Sequence, residues 1–130
     1  MRFYRTLSLL LFILLTAPWL AACSKSSEPA NAVKAYFEAL AAKDASRLAN
    51  ASCAAWEAGA KTELESFGAV QVTLGEVSCQ ESGSDGEFTL VSCSGKISAN
   101  YNGEILEINL ADHTYKTIQE GGDWRMCGYK

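Results

Sequence analysis

Histidine and proline are scarce: one histidine, His113, and two prolines in 130 residues. There is no H-E-x-x-H, no C-x-x-C pair, no glycine-rich phosphate loop and no G-x-S-x-G elbow. Zincin, phosphate-loop and α/β-hydrolase chemistries are therefore not indicated, because each needs its residues at those spacings. A Ser–His–Asp triad would have to be built around the single histidine, and no serine is singled out for it. Gly83-x-x-Gly86 lies in a polar stretch and reads as a turn. No cofactor or metal is expected. Basic charge is also short, with eleven Lys and Arg against fifteen Asp and Glu. A chain of that balance does not bind nucleic acid through the phosphate backbone. Long apolar runs are missing too. The most apolar stretch, residues 7–15, falls short of the roughly 20 residues that span a bilayer.

What that stretch does resemble is the h-region of a signal peptide. Arg2 and Arg5 supply the positive n-region before it. The exit, Leu20-Ala21-Ala22-Cys23, resembles the lipobox of bacterial lipoproteins. That resemblance implies that residues 1–22 are removed and that Cys23 is lipidated and becomes the first residue. Residues 23–28 then form the lipidated cysteine and a polar tether, and residues 29–130 a single domain. Several acyl chains give stable anchoring, so the membrane is a partner through Cys23. Ser24 rather than aspartate follows, which implies an outer-membrane address, or the outer face of the cell membrane in a single-membrane bacterium. The removed segment takes two of the eleven basic residues and none of the acidic ones, leaving 108 residues with a net charge of −6.

Four cysteines remain: Cys53, Cys79, Cys93 and Cys127. An even number outside the cytoplasm reads as two disulfides, with three connectivities open. The gaps of 26, 14 and 34 residues do not resemble a zinc ribbon.

Along the domain, Pro29 suits a first helical turn. Val33, Tyr36, Phe37, Leu40 and Ala41 recur at helical spacing and predict an amphipathic helix. Asp44 is a candidate N-cap for a short second helix through Leu48. Ser52 is a candidate cap for a third, with Cys53, Trp56, Ala60, Leu64 and Phe67 on one face and Gly68 ending it. After Gly68 the period changes to two. Val70, Val72 and Leu74 alternate with polar residues, Gly75 marks a bulge, and Val77 and Cys79 continue on the other parity. Residues 81–86 read as a loop. A strand over residues 88–101 places Val91, Cys93, Ile97, Ala99 and Tyr101 on one face. Asn102-Gly103 is a strong hairpin signal. A strand over residues 104–118 points Leu106, Ile108 and Leu110 inward, and a last strand covers residues 124–129. The predicted fold class is α+β: three N-terminal helices packed on one face of a curved four-stranded antiparallel sheet.

The opening helix, from Asn31-Ala32-Val33-Lys34-Ala35-Tyr36-Phe37 to Lys43-Asp44, resembles the first helix of the nuclear transport factor 2-like superfamily. Gly122-Asp123-Trp124-Arg125-Met126 resembles its last strand. The resemblance covers residues 29–130 and is closest to small secreted and lipoprotein branches. It implies an α+β cone of cystatin-like build. The superfamily holds enzymes and non-enzymes, so the fold implies no single activity.

On the predicted strands, Cys79 and Cys93 lie opposite one another across a hairpin. By exclusion Cys53 joins Cys127, tying the third helix to the final strand. Alternation puts Asp112 inward and His113 outward, making them the candidate general bases. Tyr36, Trp56, Tyr101 and Asp112 are the candidate pocket residues. Trp56, Phe67, Phe88, Tyr101 and Trp124 also fit a core, and Glu57, Glu63 and Glu65 a solvated helix face. The leading expectation is a non-catalytic domain that binds a small apolar ligand or a partner. The alternatives are an envelope module that dimerises through its sheet face and a small enzyme using Asp112 or His113.

Overall fold

The computed structural model describes residues 28–130. The expected signal peptide and Cys23 lie outside the described residues. Three α-helices open the domain: α1 (Pro29–Ala41), α2 (Ala45–Ala51) and α3 (Glu57–Ser66). Pro29 stands in the first turn of α1, where its missing N–H costs nothing. The inner face of α1 buries Val33, Tyr36, Phe37 and Leu40. Asp44 caps α2 by accepting from the Arg47 N–H at 3.0 Å. The third helix starts later than its apolar spacing predicts, and Ser52 does not cap it. Ser52 is buried, donates to the Leu48 carbonyl at 2.7 Å and bridges in parallel to Met126. The Cys53 N–H then donates to the Met126 carbonyl at 2.8 Å. Backbone bonding to the last strand thus holds residues 52–53 extended. A 3-10 turn, Ala54–Trp56, leads into α3.

Seven strands follow: β1 (Gln71–Leu74), β2 (Ser78–Asp85), β3 (Phe88–Ser94), β4 (Lys96–Tyr101), β5 (Glu104–Asn109), β6 (Thr114–Glu120) and β7 (Asp123–Tyr129). They make two antiparallel sheets, ordered β1-β4-β5 and β2-β3-β6-β7. The expected single four-stranded sheet is therefore corrected to two. Three of the four expected strands are interrupted, at residues 75–77, at Gly95 and at the 3-10 turn Leu110–Asp112. The interruptions lie side by side: the Gly75 N–H donates to the Lys96 carbonyl (2.9 Å) and the Leu110 N–H to the Gly95 carbonyl (3.0 Å). Gly95 has φ +120°, and a Cβ there would run into the Glu76 carbonyl oxygen. Only glycine fits that conformation and that approach. The Tyr115 hydroxyl locks the third interruption by donating to the Leu110 carbonyl at 2.7 Å.

Residues 81–85 are not loop but the outer half of β2, closed on β3 by the two-residue turn Gly86-Glu87. The register shifts between Glu81 and Gly83, the signature of a bulge. Their side chains are exposed on both faces, so no alternation marks them as strand. The Asn102-Gly103 hairpin joins β4 and β5, with both residues at positive φ. Leu106 and Tyr101, expected inward, are 51% and 40% exposed. Both lie near this hairpin at the outer end of the three-stranded sheet, beyond the helices' cover.

The core lies between α1 and the sheets, where Phe37, Leu40, Val91, Ile97, Leu110, Tyr115 and Met126 pack together. Two disulfides tie it: Cys79–Cys93 between directly opposed residues of β2 and β3, and Cys53–Cys127 from the approach to α3 onto β7. Among the described residues no helix is long and apolar enough to cross a membrane.

Candidate functional site

A cavity of about 420 Å³ opens where α1, α3 and the bent sheets meet. Phe37 and Leu40 of α1, Phe67 at the end of α3, Ile97, Ile108 and Leu110 give it apolar walls. Glu63, Ser66, His113, Tyr115 and Tyr129 give it polar groups. The bend creates the space. With β4 and β5 in one sheet and β6 and β7 in the other, the inner side chains of the two sheets converge on α1 without filling the corner.

Glu63 is the polar centre. It follows Ala60 by three residues and precedes Phe67 by four, so it shares their inward face. The Tyr36 hydroxyl donates to the Glu63 carboxylate at 2.6 Å, and the Trp56 indole N–H donates to the Tyr36 oxygen at 3.2 Å. Tyr129 faces the same carboxylate. Burial raises the Tyr36 hydroxyl well above the ordinary tyrosine range, and the hydrogen bond and charge of Glu63 raise it further. Tyr129 is raised by burial and then by Glu63. Tyr115 is pushed up to about 12, by burial first and then by the charges of Glu63 and Asp112. All three hydroxyls are thus held neutral: Tyr36 donates to the Glu63 carboxylate, Tyr129 faces it, and Tyr115 donates to the Leu110 carbonyl.

Aromatic edges fix the wall. Tyr129 meets Trp56, Tyr115 and His113 at centroid distances of 5.6, 5.4 and 5.5 Å, and Phe37 meets Tyr115 at 5.1 Å. These separations suit edge-to-face packing. The Trp56 ring lies against Gly59 and Gly128, and Gly128 is at φ +103°. A side chain at either glycine would press on the indole and disturb its bond to Tyr36.

The expected pocket residues fall elsewhere. Tyr36 and Trp56 do not line the cavity: Tyr36 bonds Glu63 from behind the wall, and Trp56 bonds Tyr36. Tyr101 is at the hairpin tip. Asp112 is exposed, because strand alternation stops at the 3-10 turn that contains it. His113 is exposed as expected, yet it borders the cavity. Glu63 is not the solvated residue its type suggests. Glu57 and Glu65 are exposed, and Glu65 pairs with Lys61 at 3.9 Å. The signal that separates Glu63 from them is its helical phase with Ala60 and Phe67. No protein-family model matches the chain, and no curated protein or solved structure is found similar to it.

Proposed function

We propose that this chain is an exported lipoprotein, anchored through lipidated Cys23, whose domain binds a small apolar or amphipathic ligand without catalysing its turnover. The cavity carries the reading: apolar walls from several elements enclose a few convergent polar groups, the usual make-up of a small-molecule site. Its volume falls in the usual range of about 300–1,000 Å³. The two disulfides support an oxidising, exported location. A place in the nuclear transport factor 2-like superfamily rests on the sequence resemblance of the first helix and the last strand. Acyl groups on the Cys23 peptide, read by mass spectrometry of the protein from a bacterial envelope, test the anchor. An unmodified, uncleaved N-terminus refutes it. Filling the cavity with Ile108→Trp tests the site. Binding of 1-hexanol should fall at least about tenfold with the melting temperature retained, and unchanged binding refutes the cavity as the site.

A second reading, dimerisation, is favoured by β5. It ends the β1-β4-β5 sheet, and Ile105 and Leu106 are 63% and 51% exposed on its opposite faces. An unpaired edge with exposed apolar residues invites another strand. Sedimentation that shows a dimer for the protein and a monomer for Leu106→Lys supports this reading; a monomer for both refutes it. Catalysis by Asp112 or His113 is the least supported, since Asp112 is exposed and does not line the cavity.

A further inference from the structure

Glu63 presents a carboxylate to the cavity, and among the described residues no lysine or arginine lines it. Among the described residues Glu63 makes no ion pair, although both of its neighbours in the chain's acidic series are solvated and Glu65 has a lysine partner. Tyr36 donates a hydrogen bond to it but brings no charge. A phenol hydroxyl is neutral or, when ionised, negative, so neither Tyr36 nor Tyr129 can supply the carboxylate with a positive charge. Four rings, Phe37, Phe67, Tyr115 and Tyr129, stand among the apolar residues of the wall. Ring faces attract cations and have no comparable attraction for anions. A carboxylate on the wall of a half-enclosed, largely apolar cavity, with no cation beside it, offers a ligand's positive charge a direct partner.

From this charge pattern we infer that the cavity's ligand is a small organic cation: an ammonium group on a short apolar body. The ammonium sits against Glu63, and the apolar body lies along Phe37, Leu40, Ile97 and Ile108. The basic side chain on the wall, His113, is exposed and packs against the Tyr129 ring. The anion-accepting features that would reverse the preference, an arginine or lysine in the wall, are not among the lining residues.

This inference rests on the binding reading proposed above, and three probes with one body and different heads separate the two. Hexylammonium, 1-hexanol and hexanoate are titrated into the purified, disulfide-bonded protein, with binding followed by ligand-observed NMR. Hexylammonium should bind about tenfold more tightly than hexanol, and hexanoate more weakly than either. In Glu63→Gln, whose amide oxygen still accepts from Tyr36, hexylammonium should fall to the affinity of hexanol, and hexanol should stay within about twofold. Equal affinity of hexylammonium and hexanol for the unaltered protein overturns the cation inference and leaves the binding reading standing. Preferred binding of hexanoate overturns it as well. If none of the three binds, both fall. The comparison of heads on the unaltered protein decides the matter even if Glu63→Gln does not fold.

Discussion

Glu63 and Tyr36 depend on each other. Tyr36 is fully buried, and its hydroxyl both donates to Glu63 and accepts from Trp56. Tyr36→Phe would leave the indole N–H and the carboxylate without that partner in a part-buried site. The expected cost is about 1–3 kcal/mol, read as a shift in urea midpoint. A neutral result would mean that water replaces the hydroxyl freely. The tyrosines also set an alkaline limit. Their folded-state values are raised, so the unfolded chain loses these protons first as pH rises. Their contribution is complete below the ordinary value of 10 and is lost as pH climbs from there toward the folded-state values. Stability should fall above about pH 10, by up to about 1.4 kcal/mol per pH unit for each tyrosine. Denaturant melts between pH 9 and pH 11.5 would show it, with a shallower loss in Tyr36→Phe. Glu63 was legible in principle, since its phase matches Ala60 and Phe67. Residue type points the other way, because a lone glutamate on a helix is most simply solvated. Only the placement of Tyr36, 27 residues earlier, makes its burial tolerable.

At the scale of the elements, the helices were easy to read from apolar spacing, and the Asn-Gly hairpin from its turn chemistry. The bend was not. Across Gly95, Val91 and Cys93 keep the same parity as Ile97 and Ala99, so alternation runs through the break unchanged. Ile108 and Leu110 likewise share parity on either side of the end of β5. A break that preserves parity leaves no trace in the period-two pattern, and only the pairing of three strands at one line reveals it. Gly95→Ala should therefore cost about 3 kcal/mol, from positive φ together with the clash at the Glu76 carbonyl. A loss below about 1 kcal/mol would mean that the corner relaxes readily. The disulfides act between elements. Cys79–Cys93 closes 14 residues within one hairpin, and Cys53–Cys127 closes 74 across the domain. In the chain-entropy model they contribute about 3 and about 4.5 kcal/mol. Cys53→Ser should accordingly lower the melting temperature more than Cys79→Ser, and equal losses would count against the loop-length account.

The whole molecule is a frame around one corner. Two sheets bend away from each other, α1 fills most of the space between them, and α3 closes one side with Glu63 turned inward. The cavity wall draws on residues from Phe37 to Tyr129, nearly the full span of the domain. No local stretch of sequence carries it, which is why the expected pocket residues Tyr36, Trp56, Tyr101 and Asp112 are not those around the actual space. The disulfide frame is consistent with an exported domain, and the proposed anchor at Cys23 would hold it at an envelope surface. The central claim is that this corner holds a small molecule. Native mass spectrometry of the protein purified from a bacterial envelope, compared with the same sample denatured, tests it most directly. The native species should carry extra mass that is lost on denaturation, and the released compound should bear a basic nitrogen on an apolar body. A native species that weighs the same as the denatured chain, and gains no mass when titrated with hexylammonium or hexanol, would contradict it.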